Sequence, residues 1–223
     1  MNYSELLNYL FLNGDKKFAE FSKTLSNSDY ITIGVKNPVL RKLIKEHKGD
    51  EELNLIDFKL GKYLEVDFIY FGLALIRAKT LQEQLSFMGR EIQKAKSWVI
   101  TDCSQTYLKK SSFEQFLDFF KKHHNSKAIY ERRFCYVFGL KHSKSPRIPE
   151  IFSFFTFNED YMVMMAEAWL LATIAINFSD EVLSFLSVIK DKVLIRKTVS
   201  KICESFRISD GEKTRFKTLR KAI

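Results

Sequence analysis

Apolar residues recur every three to four positions along almost the whole chain, the spacing of helices with one buried face. Ser4–Leu12 reads as a short helix stopped by Asn13-Gly14, and Lys16–Leu25 as a second, ended by Ser26-Asn27-Ser28. Asn37-Pro38 is a start signal, with Asn37 capping exposed amides and Pro38 in the first turn of Val39–His47. Glu51–Leu60 follows, ended by Gly61. Leu64–Lys79 is long and apolar, Leu81–Ala95 carries Leu85 and Met88, and Ser97–Lys109 comes next. Ser112 caps a helix through His123, and Ser126 caps Lys127–Leu140. A loop with Pro146 and Pro149 leads into Glu150–Phe155. Glu159–Asn177 is apolar nearly all round and reads as a buried central helix. Ser179 caps Asp180–Lys190, and Asp191–Phe206 and Asp210–Ala222 complete the series. No stretch reads as a strand.

Helix pairs recur roughly every 30 to 40 residues without an exact repeat, which predicts a HEAT-like arrangement. The expectation is one all-α domain over residues 1–223, a helical-repeat solenoid with a concave face. A globular helical bundle is the rival.

Within Ser97–Lys109, Ile100, Cys103 and Tyr107 form the expected core stripe. Trp98 and Asp102 fall on the opposite side, four residues apart, so an indole and a carboxylate project together. The same placement would also serve a second packing surface. On Lys127–Leu140 the stripe is Tyr130, Phe134, Val137 and Phe138. Arg132 and Glu131 lie off it, and Arg133 borders it, where it would serve either an ion pair or a bidentate phosphate contact. Trp169, the second of two Trp residues, sits among apolar neighbours and reads by default as core.

Composition narrows the chemistry. With only 8 Gly and 3 Pro, tight β-turns are scarce. Three cysteines, Cys103, Cys135 and Cys203, are far apart and odd in number, which argues against a disulfide framework and for a reducing cytoplasm. The adjacent His123-His124 and the lone His142 do not have metal-ligand spacing, and no phosphate-binding glycine loop is present. The amino-terminal stretch has no leader pattern, and no apolar run is long enough to span a membrane. The net charge is +9, and residues 191–223 hold ten Lys or Arg against four Asp or Glu, a net of +6. That excess favours an anionic partner, although a solvated helix surface would show it too.

Four segments together resemble one family. Val35-Lys36-Asn37-Pro38-Val39-Leu40-Arg41-Lys42 resembles the G-x-x-x-P-x-x-R entry of the AlkD-like DNA alkylation repair proteins. Lys96-Ser97-Trp98 with Asp102 resembles their S-W-x-x-x-D segment, Tyr130-Glu131-Arg132-Arg133 their W-x-x-R helix, and Ala166-Glu167-Ala168-Trp169 their K-A-x-G-W helix. Each motif alone is weak, whereas four in order over about residues 30–205 are specific. The resemblance implies a HEAT-like solenoid holding duplex DNA on its concave face. It also implies a cofactor-free, monofunctional N-glycosylase acting on N3- and N7-alkylpurines, with Trp98, Asp102, Arg133 and Trp169 lining the lesion site. Arg132, Arg196, Lys197 and Lys201 are the expected DNA-backbone contacts. Met165 and Ala172 stand where the family often carries cations, which implies fewer phosphate contacts. A monomer is expected, with no membrane partner. Two rival readings stay open: a non-catalytic binder of bent or branched DNA, and a helical scaffold for protein partners.

Overall fold

The computed structural model describes residues 1–26, 28–155 and 160–222, and these form twelve α-helices and five short 3-10 segments. The expected stop at Asn27 and start at Glu159 lie outside the described residues. The chain divides into two compact units, Met1–Lys110 and Ser111–Ile223. The first holds α1 (Tyr3–Leu12), α2 (Lys16–Ser26), α3 (Asn37–Glu46), α4 (Leu64–Arg77), α5 (Leu81–Glu91) and α6 (Trp98–Ser104). The second holds α7 (Phe113–His123), α8 (Ile129–Gly139), α9 (Tyr161–Ile174), α10 (Ser179–Val188), α11 (Lys192–Glu204) and α12 (Asp210–Lys221). Among the described residues there is no strand, only an isolated bridge between Ile31 and Tyr63.

In the first unit α4 is the centre, packed against α3, α5 and α6. Its sequence is apolar on nearly every face, so it is stable only when covered by neighbours. Burying rings such as Phe71 contributes about 1.5–3 kcal/mol each. The first turn of α4 carries two buried carboxylates that organise the loop before α3. Glu65 accepts from the amides of Ile33 (3.0 Å), Gly34 (2.7 Å) and Val35 (3.3 Å). Asp67 accepts from the Tyr30 hydroxyl at 2.5 Å and from the Gly61 amide at 3.0 Å. Gly34 has φ +98°, and a Cβ there would strike the Asp15 backbone, so only glycine fits. Tyr30 in turn accepts from the Lys96 amide at 3.3 Å, which fixes the entry to α6.

In the second unit α9 is the centre, packed most extensively against α11 and α8. Asp160 caps it, accepting from the amides of Met162 and Val163 at 2.8 and 3.2 Å. Beside it α7 and α8 interlock through phenylalanines, with Phe116 edge-on to Phe138 at 5.4 Å.

The expected helix over Glu51–Leu60 does not form; only the 3-10 turn Leu55–Asp57 does. Arg77 braces this loop instead: its guanidinium donates to the carbonyls of His47, Lys48 and Asp50 just before the stretch and of Leu53 within it, at 2.8–3.0 Å. Those carbonyls then serve the loop rather than a helix. Three expected caps also differ. Lys36, not Asn37, is the N-cap of α3, and its side chain makes no capping bond. Ser126 lies two residues before the observed N-cap, Ala128, accepting from the Ala128 amide at 3.1 Å and donating to Glu131 at 2.6 Å. Ser179 begins α10 itself and hydrogen-bonds Glu212 of α12 instead of an amide. For the two serines, a carboxylate of the neighbouring turn or of another helix took the hydroxyl.

Candidate functional site

Helix α6 is only two turns long, capped by Ser97, whose hydroxyl accepts from the Val99 amide at 3.2 Å. Its buried side is Val99, Ile100, Thr101 and Ser104, so the expected stripe is rotated slightly, with Cys103 and Tyr107 at its half-buried border. Trp98 and Asp102 are both half-buried on the other side, as the helical spacing predicts.

Trp98 is held firmly. Its indole N–H donates to the Leu25 carbonyl at the end of α2, at 3.1 Å. The ring lines an apolar cleft of about 220 Å³ with Phe21, Leu25, Leu40 and Phe68. The second packing surface therefore exists, and it fixes the indole. Asp102 is oriented locally: the Thr101 hydroxyl lies 2.9 Å from Asp102 Oδ1 and 2.8 Å from the Trp98 carbonyl. Its single proton serves one of the two at a time.

Arg41 is the neighbour that spacing along one helix does not reveal. It extends from α3 towards the Cys103 thiol, near enough for its charge to act on that group. Burial pushes that thiol above its ordinary value, opposed by the Arg41 guanidinium and reinforced by the Asp102 charge. Burial likewise raises Tyr107, opposed again by Arg41. A cation, a carboxylate and an indole thus share the α3–α6 side of the first unit.

The remaining expected residues belong to the second unit. Arg133 is buried, and its Nη1 donates to the Met162 carbonyl at 2.5 Å, tying α8 to the first turn of α9. Here it serves packing of the seam, which the border position on α8 left open. Glu131, expected off the stripe, is buried too, within hydrogen-bond distance of His123 Nδ1 (2.5 Å) and Ser126 Oγ (2.6 Å). Arg132 is half-buried on the same helix.

Trp169 is a correction. It is 36% exposed and not a core residue. Helix α9 is buried on its other sides by α8 and α11, so one side remains at the surface despite its apolar sequence. Trp169 lines a cleft of about 220 Å³ with Lys201 and Glu204 of α11 and with Arg207 beyond it. Two turns earlier on α9, Lys197 Nζ stands 5.4 Å from the Tyr161 ring centroid. Arg196 is exposed on α11. Arg207 and Glu204 were not legible as site residues, because only the fold brings them to Trp169. Among the described residues no group of three or more His, Cys, Asp or Glu side chains is placed to hold a metal ion. Among them, too, no helix is long and apolar enough to cross a membrane.

Helices packed against one another throughout, with no strand among the described residues, define an all-α helical-repeat protein. The chain belongs to the DNA alkylation repair enzyme family, whose sequence model matches residues 7–202. It therefore acts in the repair of alkylated DNA, a role that entails binding DNA. No curated protein and no solved structure gave a match to the chain.

Proposed function

We propose that this enzyme is a monofunctional N-glycosylase releasing N3- and N7-alkylated purines from duplex DNA. The observation that carries the reading is Asp102, a half-exposed carboxylate one turn from an anchored indole on α6. An alkylated purine of this kind is cationic and a ready leaving group. As its C–N bond breaks, the electron pair stays on the purine and neutralises it, and the sugar gains oxocarbenium character. Asp102 would stabilise that sugar cation and orient the water that adds to C1′ and gives up a proton. The Trp98 face would attract the cationic nucleotide by cation–π contact, and Trp169 is assigned to it by resemblance alone. Arg132, Arg196, Lys197 and Lys201 would bear on the phosphates. Arg133 is assigned to the site by resemblance alone. We further place the enzyme as a monomer in a reducing cytoplasm, to which its three free cysteines are suited.

Arg133 favours one alternative. A buried guanidinium bonded to the Met162 carbonyl suits a structural role, and a site lacking that phosphate contact suits a non-catalytic DNA binder. Release of N7-methylguanine and N3-methyladenine from methylated duplex DNA decides between the two readings. The enzyme is expected to release both, and Asp102→Asn to lose release while keeping DNA binding. Salt-sensitive binding without release by the unaltered protein would overturn the glycosylase and leave the binder.

A further inference from the structure

The seam between α9 and α11 repeats one combination twice. Lys197 of α11 faces the Tyr161 ring; about two turns further along α9, Trp169 lies in a cleft that Lys201, one turn beyond Lys197, and Arg207 also line. Both rings are exposed, at 53% and 36%, although α9 is otherwise the most apolar helix of its unit. Lys197 and Lys201 are one turn apart, so they project from one face of α11. The Asp191 side chain and the Ile208 core contact hold the two ends of this segment in place.

The cleft at Trp169 is about 220 Å³, below the roughly 300–1,000 Å³ typical of small-molecule sites. A free metabolite would gain little there. One unit of a polymer would gain more, because a second aromatic–cation pair waits about 12 Å along the same helix. That distance spans roughly three stacked nucleotides at about 3.4 Å each. Exposed ring faces joined to cations along a seam are the combination that takes unpaired strands, since stacking needs bases free of their duplex partners. The cleft's charges also suit a nucleotide's two ends. Lys201 and Arg207 match a phosphate, and Glu204 matches base amino groups or a cationic alkylated base.

We propose that the α9–α11 seam binds an unpaired DNA strand, with Tyr161 and Trp169 stacking on bases and Lys197, Lys201 and Arg207 holding its phosphates. This rests on the reading of the chain as a DNA-binding repair enzyme and deepens it: Trp169, Lys197 and Lys201, assigned above to the lesion nucleotide and the phosphates, would take a strand freed from its duplex partner. Damage or thermal opening of a duplex would supply such a strand.

The chain has two Trp residues, so in a full-length Trp98→Phe variant Trp169 alone reports by fluorescence. Titration with a mixed-sequence single strand is expected to quench Trp169, and the same sequence as a blunt duplex to quench it far less. Trp169→Ala should weaken single-strand binding about five- to a hundred-fold, the range one base–aromatic stack supplies. Lys201→Gln with Arg207→Gln should lower the salt slope of single-strand binding by about 1.4, two lost phosphate contacts. Lys217→Gln with Arg220→Gln, two exposed α12 cations outside the cleft, should leave that slope unchanged. Single-strand binding without quenching, equal quenching by duplex, or equal slope losses in both pairs would each overturn the proposal. If base release from methylated duplex persists in that case, the glycosylase reading stands and only the strand site falls. Absence of any DNA binding by the unaltered protein would overturn both.

Discussion

Thr101 sets the direction of Asp102. Its buried hydroxyl bridges the Trp98 carbonyl and the carboxylate, so the side chain that would meet the developing sugar cation is aimed by its own neighbour. Asp102→Asn keeps the shape and removes the charge, and is expected to lower the rate of base release about 10²–10³-fold, the scale of losing one aimed electrostatic contact. Thr101→Val keeps the charge and removes this hydroxyl contact. A smaller loss in rate is expected, with DNA affinity unchanged; a rate equal to wild type would show that Asp102 is aimed by other groups. A second residue-scale prediction concerns His142, where the sequence showed a lone histidine in a basic loop. The ring is buried, stacked on Phe116 at 4.8 Å, with Nε2 2.8 Å from Ser111 Oγ. Burial, and secondarily the Lys141 charge, holds its pKa below the ordinary 6.5. The unfolded chain therefore binds the proton more readily. Stability is full above about pH 6.5 and falls as pH drops through the lowered value. His142→Gln should flatten that acid-side decline in thermal unfolding midpoint; an unaltered decline would assign it to other groups.

At the scale of elements, helices formed where the apolar spacing predicted them, in α3, α8 and α10 even without the expected cap. Helix α7 has its expected cap as well: Ser112 and Gln115 form a reciprocal capping box, and His123 closes the last turn. The Glu51–Leu60 stretch shows the limit of such reasoning. Its period was adequate, but Arg77 on a distant helix claimed the carbonyls around it. Arg77→Ala should destabilise the first unit by about 2–3 kcal/mol, since it deletes charged hydrogen bonds to four loop carbonyls at once. Urea unfolding measures this, and a change below about 0.5 kcal/mol would mean water replaces the guanidinium freely. Gly72 tests the α3–α4 contact. Alanine gains about 1 kcal/mol of helix propensity there. Its Cβ, however, would collide with the buried Ile44 side chain, and overpacking costs about 1–3 kcal/mol. A net loss of stability is expected for Gly72→Ala, and a gain would show that Ile44 swings aside.

Over the whole molecule, the candidate residues divide by unit. Trp98, Asp102 and Arg41 belong to Met1–Lys110, whereas Arg133, Trp169 and the α11 cations belong to Ser111–Ile223. The net charge divides unevenly as well, with +6 of the +9 beyond residue 190. DNA affinity should therefore fall steeply with salt. Removing Arg196, Lys197 and Lys201 together should shallow the duplex slope by about 2.7, three contacts at about 0.9 each. A slope unaffected by that triple change would place the duplex contacts elsewhere.

The sequence by itself determined the helical class, most helix spans, and the pairing of Trp98 with Asp102 on one side of α6. These follow from local spacing, which a single chain segment carries whole. It also carried enough motif order to suggest the repair family that the family comparison then showed. Only the tertiary structure decided that Trp98 is anchored to the Leu25 carbonyl, that Arg133 donates to the Met162 carbonyl, and that Trp169 lies open beside Lys201, Glu204 and Arg207. The physical reason is common to all three. Periodicity states which side of a helix is apolar, but which polar group meets which backbone atom depends on the helix that arrives from elsewhere in the chain.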